Sequence, residues 1–137
     1  MSRDRWWVHK FGGSSVADAA CFRRVAAIIQ ADPHVRLAVV LSACRGVTDA
    51  LLGLVAAAER REHAACQQAL AALRERHVAI ADELLPRPAR DDYVGRLDAE
   101  LDDIRGILTT VSLLRSAGQS VHDVIAGHGE IWSTRLF

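Results

Sequence analysis

Val8-His9-Lys10-Phe11-Gly12-Gly13-Ser14-Ser15-Val16 decides how this chain is read. A short apolar run, Trp6-Trp7-Val8, leads to a lysine, then to two glycines and two serines, and an amphipathic helical pattern follows. Strand, lysine, glycine turn and helix start form an arrangement suited to phosphate. Glycines let backbone N–H groups approach an anion closely. The first helical turn adds unpaired N–H donors and the positive end of its dipole, and Lys10 adds a full charge. The order of residues excludes a Walker loop, where the lysine follows the glycines and precedes Ser or Thr. Taken alone, the same residues also read as a surface lysine beside a plain turn.

Outward from this stretch, Trp6 to Lys10 reads as a strand whose two tryptophans face opposite sides of the pleat and pack against covering helices. Alternation puts His9 on the face opposite Lys10, a structural position. Val16 to Ala31 reads as a helix with Phe22, Val25, Ala26 and Ile29 at three- and four-residue spacing, and Asp32-Pro33 ends it. Leu37 to Leu41 is a continuous apolar run of the kind found in a parallel strand buried on both faces. Strand, helix, strand in this length is a right-handed βαβ unit. Lys10-Gly12-Gly13 and Ser42-Ala43 then share the carboxyl edge of the sheet, where open α/β sheets place ligands.

Thr48 is the expected cap of a second helix running to about Arg61, with Leu51, Leu52 and Val55 inward. A third helix covers roughly His63 to Leu85, with Leu70, Leu73, Ile80 and Leu84 as core candidates, and Pro86-Arg87-Pro88 breaks it. A fourth runs from about Arg90 to Leu114 on a stripe of Leu97, Leu101, Ile104 and Leu108. A fifth begins near Val121. Two strands followed only by helices make an incomplete sheet, because its edges and faces need cover. The expectation is an N-terminal portion of a larger domain.

The 137 residues suffice for one ordinary domain, half of them hydrophobic and a quarter charged. Lys+Arg and Asp+Glu both number 17, so no basic excess points to nucleic acid or an anionic membrane. No apolar run approaches the ~20 residues that span a bilayer, and the start has no signal-peptide core. Cys21, Cys44 and Cys66 are odd in number and not closely spaced, which suggests reduced thiols and a cytoplasmic setting. The six histidines show no metal-binding spacing. Cys44 lacks an evident base partner, so no thiol chemistry is expected. Arg45 reads as solvated, with a substrate carboxylate as its alternative partner.

Lys10-Phe11-Gly12-Gly13-Ser14-Ser15 resembles the K-F-G-G-[ST]-S signature that opens aspartate kinases, within the amino-acid kinase superfamily. Val39-Val40-Leu41-Ser42-Ala43 with Gly46-Val47-Thr48, and Gly129-Glu130-Ile131-Trp132-Ser133, fit the same family in the same order; Arg60 to Ser120 matches only as helical filler. The resemblance implies an α/β, three-layer αβα fold with a mainly parallel sheet, of which the βαβ unit and several helices are present. It also implies transfer of the ATP γ-phosphoryl to the β-carboxylate of L-aspartate, with Mg2+ held mainly by phosphates. Lys10 is then the catalytic cation, and Lys10, Gly12, Gly13, Ser14 and Ser15 bind phosphate. Thr48 and Glu130 bind aspartate, with Ser42 beside them, and Ser133 belongs to the motif without an assigned role. Homo-oligomers are the family's habit. Half the nucleotide site lies outside these residues, so the 137-residue chain alone is expected to be inactive. The alternatives are a superfamily member acting on glutamate, acetylglutamate, carbamate or a nucleotide, or a non-catalytic binding or assembly fragment.

Overall fold

In the computed structural model, which describes residues 5–137, the first strand β1 (Trp7–Phe11) pairs in parallel with β2 (Leu37–Leu41). Trp7 lies opposite Leu37 and Lys10 opposite Val40. Helix α1 (Ala19–Gln30) makes the crossover, so the expected βαβ unit is present. Four helices follow: α2 (Val47–Glu59), α3 (His63–Leu84), α4 (Arg87–Leu114) and α5 (Gln119–Leu136). They bury one another around α2, whose Leu51, Leu54 and Val55 are sealed from solvent. Leu52, expected inward, faces out, and Leu54 takes its place.

Several boundaries differ from the sequence reading for local reasons. The helix expected from Val16 begins at Ala19, because Gly13–Val16 forms one 3-10 turn and the chain is extended at Asp18. The Asp18 carboxylate accepts the Cys21 N–H at 2.8 Å and caps α1. Its helix start is therefore served by the chain's own carboxylate, not held open at the glycines. Thr48 is not the cap of α2. Gly46 is, at φ 79°, where a residue with a Cβ is strained. Pro86 and Pro88 end α3 but also open α4 three residues earlier than expected, at Arg87, since the first helical turn needs no N–H from proline. In α5 the start moves back to Gln119.

The sheet is covered on one side only. Phe11, Val39 and Leu41 face the helices. The alternate residues Val8 and Val40 are 64% and 47% exposed, and Lys10 lies open beside them. Neither Trp6 nor Trp7 packs under a helix: Trp6 is 63% exposed, and Trp7 is half-exposed with its ring tilted against His34, ring centres 3.9 Å apart. The expectation of a β2 buried on both faces fails for the same reason, because no element among the described residues covers that face. His9 does point away from Lys10, as alternation requires. Its Nε2 meets Asp32 Oδ2 at 2.6 Å, and His34 Nδ1 meets Asp32 Oδ1 at 2.6 Å. The His34 backbone N–H, aided by both imidazoles, holds the Asp32 carboxyl at about 2.

One buried group makes stability depend on pH. His77, on α3, is sealed between α3 and α5, edge-on to Trp132 with ring centres 5.0 Å apart. Its Nδ1–H donates to the Leu73 carbonyl at 2.7 Å, and Nε2 has no partner. Burial pushes the imidazole below its ordinary value, so the folded state keeps it neutral while an unfolded histidine titrates near ~6.5. Its contribution is complete above that pH and is lost as pH falls below it. Melting temperatures at pH 7.5 and 5.5 are expected to differ more for the wild type than for His77→Leu. Equal differences would remove His77 from the acid sensitivity.

Candidate active site

Two loops leave the carboxyl ends of β1 and β2 and lie against each other. The Ser42 N–H donates to the Phe11 carbonyl at 3.0 Å, which prolongs the ladder to the brink of both loops. At Gly13 a Cβ would sit 3.0 Å from the Ala43 carbonyl oxygen and 3.4 Å from Arg45 Cα, so the approach itself requires glycine. Gly12 is different. Its backbone is extended and a Cβ there would meet nothing within 4 Å. Nothing inside the chain demands a missing side chain at Gly12, and its backbone is open to close approach from outside. Ser14 is exposed and Ser15 half-buried, and the Ser15 N–H closes the turn onto the Gly12 carbonyl at 2.9 Å.

The third motif arrives from the far end of the sequence. Gly129, in the middle of α5, meets the same loop from the opposite side. A Cβ there would lie 2.7 Å from Ala43 Cβ and 3.3 Å from Val47 Cγ1. Ala43 is thus a strip of chain held between two glycines, its carbonyl on Gly13 and its methyl on Gly129. One turn on, the sealed Ser133 hydroxyl donates to the Ser42 carbonyl at 2.6 Å, with the Glu130 carbonyl of its own helix at 3.1 Å. Trp132 turns the other way, into the core, where its Nε1–H donates to Glu100 Oε2 at 2.8 Å. Arg135 pairs with the other oxygen of Glu100 at 2.7 Å. Three residues of one motif therefore fix α5 between the loop and α4.

The remaining motif residues carry the open chemistry. Glu130 lies in the middle of α5 with an exposed side chain. Thr48 is half-buried in the first turn of α2, where no side chain caps the helix. Lys10, Thr48 and Glu130 make no side-chain hydrogen bond or ion pair among the described residues. Arg45 is exposed, its side chain likewise unpaired. Burial pushes the Cys44 thiol up to about 11 against the opposing charge of Arg76, so it stays protonated at neutral pH. No cluster of three His, Cys, Asp or Glu residues suited to a metal exists among the described residues.

Sequence reasoning missed how Ser133 and Glu100 work, because their partners lie 91 and 32 residues away. The first has a direct test. Ser133→Ala leaves the Ser42 carbonyl without its donor, at a cost of about 1–3 kcal/mol. A lower melting temperature is expected, together with weaker binding of whatever the Ser42 loop holds. An unchanged melting temperature would mean that the bond contributes nothing.

A parallel βαβ edge carrying a lysine, a double glycine and a second loop pinned beneath a Gly-Glu-x-Trp-Ser turn defines a class, and the chain belongs to the amino acid kinase family, which matches over residues 5–137. Within that class its relatives are aspartokinases. It is 37% identical over 131 residues to lysine-sensitive aspartokinase 3 of Escherichia coli, covering 95% of this chain and 27% of that protein. It is 34% identical over 133 residues to the chloroplastic bifunctional aspartokinase/homoserine dehydrogenase 1 of Arabidopsis thaliana, covering 97% of this chain and 14% of that one. The structure superposes on E. coli aspartokinase III in complex with aspartate and ADP, with a TM-score of 0.80 and 34% identity over 94% of this chain and 27% of the other. The chain therefore spans about a seventh to a quarter of these relatives. No helix among the described residues is long and apolar enough to cross a membrane.

Proposed function

We propose that these residues are the N-terminal portion of an aspartate kinase catalytic domain, which transfers the γ-phosphoryl of ATP to the β-carboxylate of L-aspartate. The observation that carries the reading is the meeting of three distant motif segments at one sheet edge, with Lys10, Thr48 and Glu130 left unpaired there. The product is 4-phospho-L-aspartate, which opens lysine, threonine and methionine synthesis.

The chemistry suits such a site. A carboxylate oxygen attacks the γ-phosphorus while the bond to the β–γ bridging oxygen breaks and ADP leaves. The nucleophile is already ionised, so no general base is needed. What the reaction needs is compensation for charge spread over the transferring group, and preorganised cations and N–H donors supply that. Lys10 provides the cation, and the backbone at Gly12, Gly13, Ser14 and Ser15 lines the phosphates. Glu130 pairs with the substrate ammonium, and Thr48 and Ser42 orient the amino acid. Mg2+ would be carried mainly on the phosphate oxygens of the nucleotide. Three free cysteines suit the reducing cytoplasm, and the full protein would act as a homo-oligomer.

The test is aspartate-dependent ADP release by the full gene product, run beside glutamate, acetylglutamate and carbamate. Preference for aspartate supports the reading, and preference for another acceptor moves the protein elsewhere in its family. Residues 1–137 by themselves are expected to show negligible turnover, since one face of the sheet lacks cover. Intact mass of the native product, compared with the 14.9 kDa of this chain, decides which case applies. A native mass equal to this chain would favour a binding role over catalysis.

A further inference from the structure

The two loops are joined by a third party that no motif contains. Arg76 rises from α3 with Nη1 donating to the Arg45 carbonyl at 2.6 Å and Nη2 donating to the Ala17 carbonyl at 3.0 Å. Arg45 belongs to the loop that runs from Ser42 into α2. Ala17 closes the 3-10 turn that follows Gly13. One guanidinium therefore spans both loops, whose carbonyls lie 31 and 59 residues from it in sequence.

Its base is firm. The adjacent His77 and the flanking Leu73 and Ile80 are buried, and Arg23 of α1 donates to the Glu83 carbonyl near the end of α3 at 2.8 Å. Each loop also has its own closure, Ser15 onto Gly12 in one and Val47 onto Cys44 in the other, both at 2.9 Å. Neither needs Arg76 to keep its internal shape. What Arg76 adds is the spacing between them, because the two amino groups of a guanidinium are held in a rigid plane.

We propose that Arg76 is a positioning residue for phosphoryl transfer, setting the distance between the loop that lines the nucleotide phosphates and the loop that orients the acceptor carboxylate. This rests on the kinase reading above and assigns that site a spacer. Reaction requires the two substrates within a near-attack separation, and a misplacement of about 1 Å costs roughly 10²-fold in rate. Binding of either substrate alone makes no such demand.

The test uses the full-length protein with wild type, Arg76→Met and Arg76→Lys in parallel. Methionine keeps the stem and removes both donors. Lysine keeps the charge but lacks the rigid two-pronged fork. Turnover is expected to fall about 10²-fold in Arg76→Met and at least about tenfold in Arg76→Lys. In both variants, Kd for ADP alone and for aspartate alone, by calorimetry, is expected to stay within about threefold of wild type, as a spacing defect leaves each half-site intact. Recovery of wild-type turnover by lysine would mean that charge or packing suffices and would overturn the proposal. So would a loss confined to KM or to one substrate's Kd. If Arg76→Met fails to fold, Arg76→Lys decides alone by the same split. A wild-type protein that turns over no amino-acid acceptor sinks the kinase reading and this proposal with it. An active wild type with indifferent variants sinks only the role of Arg76.

Discussion

Lys10→Ala in the full-length protein is expected to lower aspartate-dependent ADP release by about 10³-fold or more while leaving the melting temperature nearly unchanged. The size follows from what the residue can do. Removing one preorganised donor from a charge-stabilising site costs about 10²–10³ in kcat, and a cation aimed at a transferring phosphoryl contributes 10³–10⁵. The stability side follows from exposure: Lys10 stands on the open face of β1, and its ammonium makes no ion pair among the described residues. Exposed substitutions of this kind usually shift stability by about 0.5 kcal/mol or less. Lys10→Arg keeps the charge on a differently shaped head and is expected to recover part of the rate. Turnover undiminished in Lys10→Ala would take the residue out of the mechanism, and a fall in melting temperature to match the rate would make its role structural.

The second large effect is expected at Gly129. Gly129→Ala places a methyl 2.7 Å from Ala43 Cβ, an atom fixed to its own backbone and unable to rotate away. The loop cannot retreat either, since the Ala43 carbonyl already lies against Gly13. Overpacking of this kind costs about 1–3 kcal/mol. The gain from replacing a helical glycine by alanine, at most about 1 kcal/mol, opposes it. The clash wins, α5 and the Ser42–Gly46 loop separate, and Glu130 moves with the helix. A lower melting temperature and a fall of about 10–10² in kcat/KM are the expected results. Ala43→Gly combined with Gly129→Ala removes the colliding methyl and should restore most of both. A double variant no better than the single one would show that the contact between these two residues is not the cause.

Much of this site was legible because its parts are local. The glycine turn after Lys10 and the apolar run of β2 read directly, and the parallel crossover followed from them, which brought Gly12-Gly13 and Ser42-Ala43 to one edge. The stripes of α3 and α4 placed Leu70, Leu73, Leu97, Leu101 and Ile104 correctly in the core. Errors of boundary came from caps whose competition is settled by geometry. Asp18 displaced Val16 at the start of α1, and Gly46 displaced Thr48 at the start of α2. Glu130 sits mid-helix because Gly127 and Gly129 leave α5 unbroken, and Gly129 alone of the two packs closely on the Ser42 loop.

The sequence by itself determined the βαβ unit, the loops that end its strands and the family the three motifs resemble, because short-range spacing and backbone preference set those. Only the tertiary structure decided that Gly129 and Ser133 pin the Ser42 loop, that Glu100 holds Trp132, and that Arg76 spans both loops. Each of those is a contact between residues tens of positions apart. A single arginine, serine or glutamate inside a helix carries no local pattern that names its partner. The bare face of Val8, Lys10 and Val40 was hidden for a related reason: an apolar strand reads as buried, and whether anything covers it is a property of the packed chain alone.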